Sequence, residues 1–103
     1  MTETGLVNAI MQQLRRRRVY VVKVHGGPYQ QLGLPDLWCV VEGRTVCMEV
    51  KLPNGKVSRR QIREVDKLRA AGAIAGIVYS VSDAMGLVDQ ALREHFNSEE
   101  PKQ

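Results

Sequence analysis

The chain has 103 residues, enough for one domain with a modest single core and too few for two. Its apolar share of 44% is ordinary for a globular protein and excludes a disordered or fibrous class. Fifteen Lys and Arg against eleven Asp and Glu leave a net charge of +4, which favours an anionic partner. No apolar run approaches the roughly 18 residues of a membrane span. The N-terminus lacks a basic segment followed by an apolar one, so the expected location is intracellular with no membrane partner.

The cations are not scattered. Arg15 to Arg18 form one run, and six of the fifteen fall between 56 and 69. Such clustering suits a phosphate backbone, although a solvated helix face has the same composition. Cys39 and Cys47 lack the partners of a zinc site and read as reduced thiols packed as small apolar groups.

Residues 3–17 read as a helix, because Val7, Ile10 and Leu14 recur at three- and four-residue spacing, flanked by Leu6 and Met11. Thr2 or Thr4 caps its start, and the arginine run lies at its C-terminal end, where cations suit the helix dipole. The β-branched and aromatic run 19–24 reads as a strand. Residues 25–33 form a glycine-rich loop longer than a plain turn needs. Strands are predicted over 37–41 and 44–52, joined by Glu42-Gly43, with Pro53-Asn54-Gly55 ending the second. Ser58 opens a helix running to about Ala71, with Ile62, Val65 and Leu68 as its apolar stripe and Gly72 beyond its end as a cap. Residues 74–81 are apolar on both faces, as in an internal strand. Ser82 or Asp83 caps a last helix whose inner face carries Leu87, Ala91 and Leu92. The polar residues 97–103 form a tail, leaving 1–96 as a single domain. The expected fold is α/β: a central mixed four-stranded sheet flanked by helices.

Three charged residues stand out within this frame. If Glu42-Gly43 is a two-residue hairpin turn, Val41 faces Arg44, and pairing outward in step brings Asp36 opposite Glu49. Facing residues have Cβ atoms about 4.5–5.5 Å apart on one face, so two carboxylates there can share a divalent ion. Glu49 and Lys51, two residues apart, project from that same face. The backbone carbonyl of Val50 between them is a further candidate oxygen ligand. Mg²⁺ takes a few carboxylate oxygens together with water and phosphate, and a nearby lysine can orient or deprotonate a water and offset developing charge. A turn one residue longer would move Asp36 off that face. The competing reading is an exposed hairpin carrying a cross-strand charge pair.

The motifs Gly33-Leu34-Pro35-Asp36, Glu49-Val50-Lys51 and Gly55-Lys56-Val57-Ser58-Arg59-Arg60-Gln61 together resemble the VRR-NUC family of the PD-(D/E)XK nuclease superfamily. The resemblance covers the chain from the first helix through residues 74–81, and the element order αβββαβ(α) matches that superfamily's restriction-endonuclease-like core. It implies an endonuclease that hydrolyses phosphodiester bonds of DNA and depends on Mg²⁺ or Mn²⁺. Asp36 and Glu49 are then the metal-binding acids, the Val50 carbonyl a further ligand, Lys51 the catalytic lysine and Gln61 the helix glutamine directed at the site. Stand-alone members of this size resemble compact phage or bacterial nucleases, which implies branched DNA such as a Holliday junction as substrate and a homodimer as the working form. The implied location is the cytoplasm of a bacterial or phage-infected host cell, with no small-molecule cofactor.

Other residues have two readings each. Gln61 either faces the site or closes a capping box with Ser58. Glu3 shares the helical face of Val7, Ile10 and Leu14, so it is either a further acid near the metal or a first-turn partner of the helix dipole. Lys56, Ser58, Arg59, Arg60 and Arg63 gather at a helix start, where anions are favoured, and are the candidate DNA contacts. His25 and Tyr29 in the long loop are weaker candidates. Trp38 shares the face of Asp36 and reads as core. The alternatives are a flap, nicking or plain duplex nuclease, and, from another class, an inactive nucleic-acid-binding module. The module has no need of Asp36, Glu49 and Lys51 together.

Overall fold

A computed structural model describes residues 1–24 and 33–99. In chain order the elements are α1 (Glu3–Arg16), β1 (Tyr20–Lys23), β2 (Leu37–Val41), β3 (Arg44–Val50), α2 (Arg59–Ala70), β4 (Ile74–Val78) and α3 (Val81–Glu99). The four strands form one sheet in the order β1-β2-β3-β4. The first three pair antiparallel, and β4 joins β3 in parallel. The sheet is therefore mixed and flanked by helices, as expected.

Strand alternation divides the core into two layers. Leu37, Cys39 and Val41 of β2, with Val46, Met48 and Val50 of β3, pack against Leu6, Ile10 and Leu14 of α1 and Ala84, Val88 and Ala91 of α3. The opposite face turns Trp38, Cys47, Ala75 and Ile77 toward Val65 and Leu68 of α2. Trp38 is thus half-buried against this layer. Toward β1 that face stays uncovered, leaving Tyr20, Val22 and Val40 exposed. Cys39 and Cys47 are buried free thiols, pushed up to about 12 and about 11 mainly by burial.

The helix ends follow local chemistry. The Thr2 hydroxyl accepts from the Gly5 amide at 3.0 Å, which selects Thr2 over Thr4 as the cap of α1. Gly72 ends α2 at φ +105°, donating to the Arg69 carbonyl at 3.0 Å while Ala73 donates to Leu68 at 3.0 Å. The same motif closes α1 with Arg18 at φ +58°, although no glycine stands there.

One boundary differs from the sequence reading. The apolar run 74–81 is not all strand: β4 stops at Val78 and α3 already begins at Val81. The Ser80 hydroxyl accepts from the Asp83 amide at 3.0 Å, and Asp83 Oδ2 accepts from the Tyr79 amide at 2.9 Å. Ser80 is the cap, and Val81 is apolar because it packs against the core from the first turn of a helix. At the other end α3 runs to Glu99, past the expected boundary at 96. The expected tail beyond it, residues 100–103, lies outside the described residues. Among the described residues no helix is long and apolar enough to cross a membrane.

Candidate active site

The site begins with a turn. Glu42 and Gly43 both have positive φ, +49° and +78°, the left-handed pair that closes a two-residue hairpin. Pairing then runs from Val41–Arg44 to Leu37–Met48 without a bulge. The next step outward carries Asp36 to Glu49. Here the ladder continues through a side chain: the Val50 amide donates to Asp36 Oδ2 at 2.8 Å. On its other flank the Asp36 carbonyl accepts from the Val24 amide at 2.8 Å. Asp36 is thus fixed between two strands.

The residues before it explain the motif. Pro35 is fully buried. Gly33 has φ +85°, and a Cβ there would lie 2.7 Å from Arg60 Cγ on α2. A glycine is therefore required twice, for backbone conformation and for the close approach of α2.

Glu49 is only 3% exposed. Its Oε1 accepts from Gln61 Nε2 at 2.8 Å, and its Oε2 is buried with no N–H donor, held against the Asp36 carboxyl. Burial pushes its carboxyl up to about 8; the Asp36 charge adds to the rise, Lys51 opposes it, and a hydrogen bond shared with Asp36 and then the charge of Glu3 raise it further. Without a cation the two carboxyls are held together by a shared proton. A divalent cation between Glu49 and Asp36 takes the place of that proton.

Gln61 closes a capping box and also reaches Glu49. Its Oε1 accepts from the Ser58 amide at 2.9 Å and its own amide donates to the Ser58 hydroxyl at 3.1 Å, a complete capping box. Its Nε2 remains for Glu49. Ser58 is committed to the cap. Glu3, in the first turn of α1, acts on Glu49 through its charge. Among the described residues no three His, Cys, Asp or Glu side chains gather as a metal cluster. The local donor set is the carboxylate pair, which fits an ion that takes one or two carboxylates and completes its shell with water and phosphate.

Lys56, Arg59, Arg60 and Arg63 are exposed around the start of α2. His25 and Tyr29 lie outside the described residues. Sequence reasoning did not place β4 beside the site: the Lys51 amide donates to the Val78 carbonyl at 3.0 Å, just past the parallel β3–β4 ladder. Parallel pairing across a helical crossover has no local signal in the sequence.

The domain is a mixed α/β sheet whose hairpin brings two acids together beside a lysine. A solved structure described as a VRR_NUC domain protein matches with a TM-score of 0.76 over 90% of this chain and 89% of its own, at 16% identity. Another, described as a VRR_NUC domain, matches with a TM-score of 0.71 over 86% of this chain and 97% of its own, at 25% identity. The chain has the fold of a VRR-NUC domain, the family its motifs resemble. No family model matches the sequence, and no curated protein matches it.

Proposed function

We propose that this protein is a divalent-metal-dependent endonuclease that hydrolyses phosphodiester bonds in branched DNA and works as a homodimer. The observation that carries the reading is the pairing of Asp36 with a buried Glu49, two carboxyls close enough to share a proton, beside Lys51. A surface charge pair needs no burial, and a DNA-binding module needs no buried acid.

Asp36, Glu49 and the Val50 carbonyl would hold Mg²⁺ or Mn²⁺, with Glu3 adding negative charge nearby. When bound, such an ion supplies charge neutralisation at the phosphoryl oxygens and a lowered pKa for its water. The protein's own groups do the rest. Lys51 orients or deprotonates the attacking water and offsets charge as it develops on the phosphate. Gln61 holds Glu49 in one rotamer, so the carboxylate geometry is set before substrate arrives. Lys56, Arg59, Arg60 and Arg63 hold the DNA backbone at the start of α2, where the peptide dipoles also favour anions.

One chain carries one such site, whereas a four-way junction needs two strands cut. A twofold pair of chains matches a twofold substrate. The deciding experiment is a gel assay with Mg²⁺ or Mn²⁺ on four-way junction, flap, nicked and linear duplex DNA, run beside Lys51→Ala, with the mass in solution measured by sedimentation. Preferential paired cuts in the junction by a dimer support the whole reading. Equal cutting of linear duplex removes the branched-DNA part, and a monomer that still cuts both strands removes the homodimer.

A further inference from the structure

The end of α1 carries cations that the fold itself does not use. Arg15, Arg16, Arg17 and Arg18 follow one another, and all four are exposed. Among the described residues only Arg17 of this run has an acid partner, Asp89 at 3.2 Å. The guanidinium groups of Arg15, Arg16 and Arg18 pair with no described residue. We propose that this end of α1 holds the phosphate backbone of a second arm of the branched DNA, away from the arm that lies in the active site.

The proposal rests on the nuclease reading with its branched substrate and adds to it a second contact surface. Three observations carry it. The first is charge without a structural use. Cations complement the dipole at a helix C-terminus, but that effect is confined to the last turn. Arg17 and Arg18 stand beyond it, since α1 ends at Arg16. Four guanidinium groups beside the one Asp89 carboxylate leave an excess of three positive charges, which repel one another until a polyanion lies over them.

The second is the face they share. Asn8, Gln12, Arg15 and Arg16 fall at helical spacing on the side of α1 opposite the fully buried Ile10 and Leu14. With Met11 they line an open cleft of about 530 Å³. No acid stands in that lining. It offers guanidinium groups and side-chain amides, the kinds of group that contact phosphate and sugar in protein–DNA interfaces.

The third is position. α1 begins near the acids, where the charge of Glu3 acts on Glu49. Its 14 residues, at a rise of about 1.5 Å each, set the arginines roughly 20 Å from that end. There Arg17 and Arg18 border the β2–β3 hairpin at Val41 and Glu42, the opposite end of the sheet. α1 and α2 also cover opposite faces of the sheet. The cations at the start of α2 and those at the end of α1 thus differ in both face and end. A short straight duplex seated on α2 leaves the second group untouched, whereas a branched substrate sends its arms in different directions.

The test measures binding in the Lys51→Ala background, so that cleavage does not intervene. A four-way junction and a linear duplex as long as one arm are titrated across a range of salt. Arg15→Ala with Arg16→Ala should weaken junction binding several-fold and lower its slope of log K against log salt by about 2, at roughly 0.9 per phosphate contact. Binding of the one-arm duplex should not change. Arg15→Lys with Arg16→Lys keeps both charges and should keep the slope. Arg18→Gly guards against a folding defect, because Arg18 sits at φ +58°, where glycine is at ease. It should lower the junction slope by about 1 with no loss of thermal stability. An unchanged junction slope in these charge-removing variants overturns the second contact while leaving the nuclease reading intact. An equal loss on the one-arm duplex overturns the separate-arm geometry. Absence of both metal-dependent cleavage by the wild type and DNA binding overturns the proposal and the nuclease reading together.

Discussion

The Gln61 side chain spans two structures at once: its Nε2 donates to Glu49 Oε1 at 2.8 Å, while its Oε1 accepts from the Ser58 amide at 2.9 Å. A residue that caps a helix is thereby also the hydrogen-bond donor to a buried acid. Substitution can separate the two roles. Gln61→Glu keeps an oxygen for the Ser58 amide, and Glu serves a capping box as well as Gln does. It loses the donor to Glu49 and places a second acid against it. Gln61→Glu should therefore cut kcat at least tenfold while thermal melting shows an intact fold. Ser58→Ala should do the reverse, costing about 1 kcal/mol of stability with cleavage largely kept. Full activity in Gln61→Glu would leave the glutamine as a cap alone.

Lys51→Ala should abolish cleavage and leave DNA affinity within a few fold, because Lys51 acts on the reacting groups while the cations of α2 hold the backbone. EDTA should stop cleavage by the wild-type protein, and added Mg²⁺ or Mn²⁺ should restore it. Cleavage that persists in EDTA would sink the metal assignment.

The metal-free fold should lose stability as the pH rises. The Glu49 carboxyl moves from its ordinary 4.5 to about 8 on folding. Between those values the folded chain binds a proton that the unfolded chain has released, so the stabilisation is complete below the lower value and gone above the upper one. In EDTA, the urea midpoint of the wild type should fall across this window relative to that of Glu49→Gln, which carries no such proton. Added divalent metal should offset the loss at high pH, since it binds the ionised pair. Parallel curves for the two proteins would remove Glu49 as the cause.

Arg59→Ala with Arg60→Ala should weaken binding and lower the slope of log K against log salt by about 2, at roughly 0.9 per phosphate contact. The loss should be the same on every DNA shape, because phosphates carry no sequence information. An unchanged slope would remove these residues from the contact surface.

Glu42→Asn should stabilise the chain. Glu42 holds φ +49° in the hairpin turn, a left-handed conformation that costs an ordinary L-residue about 1–2 kcal/mol. Asn adopts it more readily, and Asn-Gly is the preferred pair for this turn. The exposed approach of Glu42 to His95 at 3.7 Å is worth little by comparison. Tm should rise by several degrees. A lower Tm would mean that the His95 contact outweighs the turn strain.

Most of the fold was legible in the chain because its signals are local. Helical spacing in α1, β-branched runs in the strands and Gly72 past the end of α2 each report on backbone a few residues away. The Asp36–Glu49 pairing was legible for the same reason: two residues, Glu42-Gly43, set the hairpin register. The border between β4 and α3 was less so, since an apolar run reads alike whether it is buried as strand or as the first turn of a helix.

By itself, then, the sequence determined the element order and the hairpin register that sets Asp36 opposite Glu49, both through contacts between near neighbours in the chain. Only the tertiary structure decided what surrounds them. It buried Glu49 to 3% exposure against Asp36, turned Gln61 from a cap into a cap that also holds the acid, and tied Lys51 to Val78 at the end of β4. Each of these depends on where α2 and β4 pack against β3. That placement follows from burial of apolar surface over the whole core, which is non-directional and leaves no mark at any one residue.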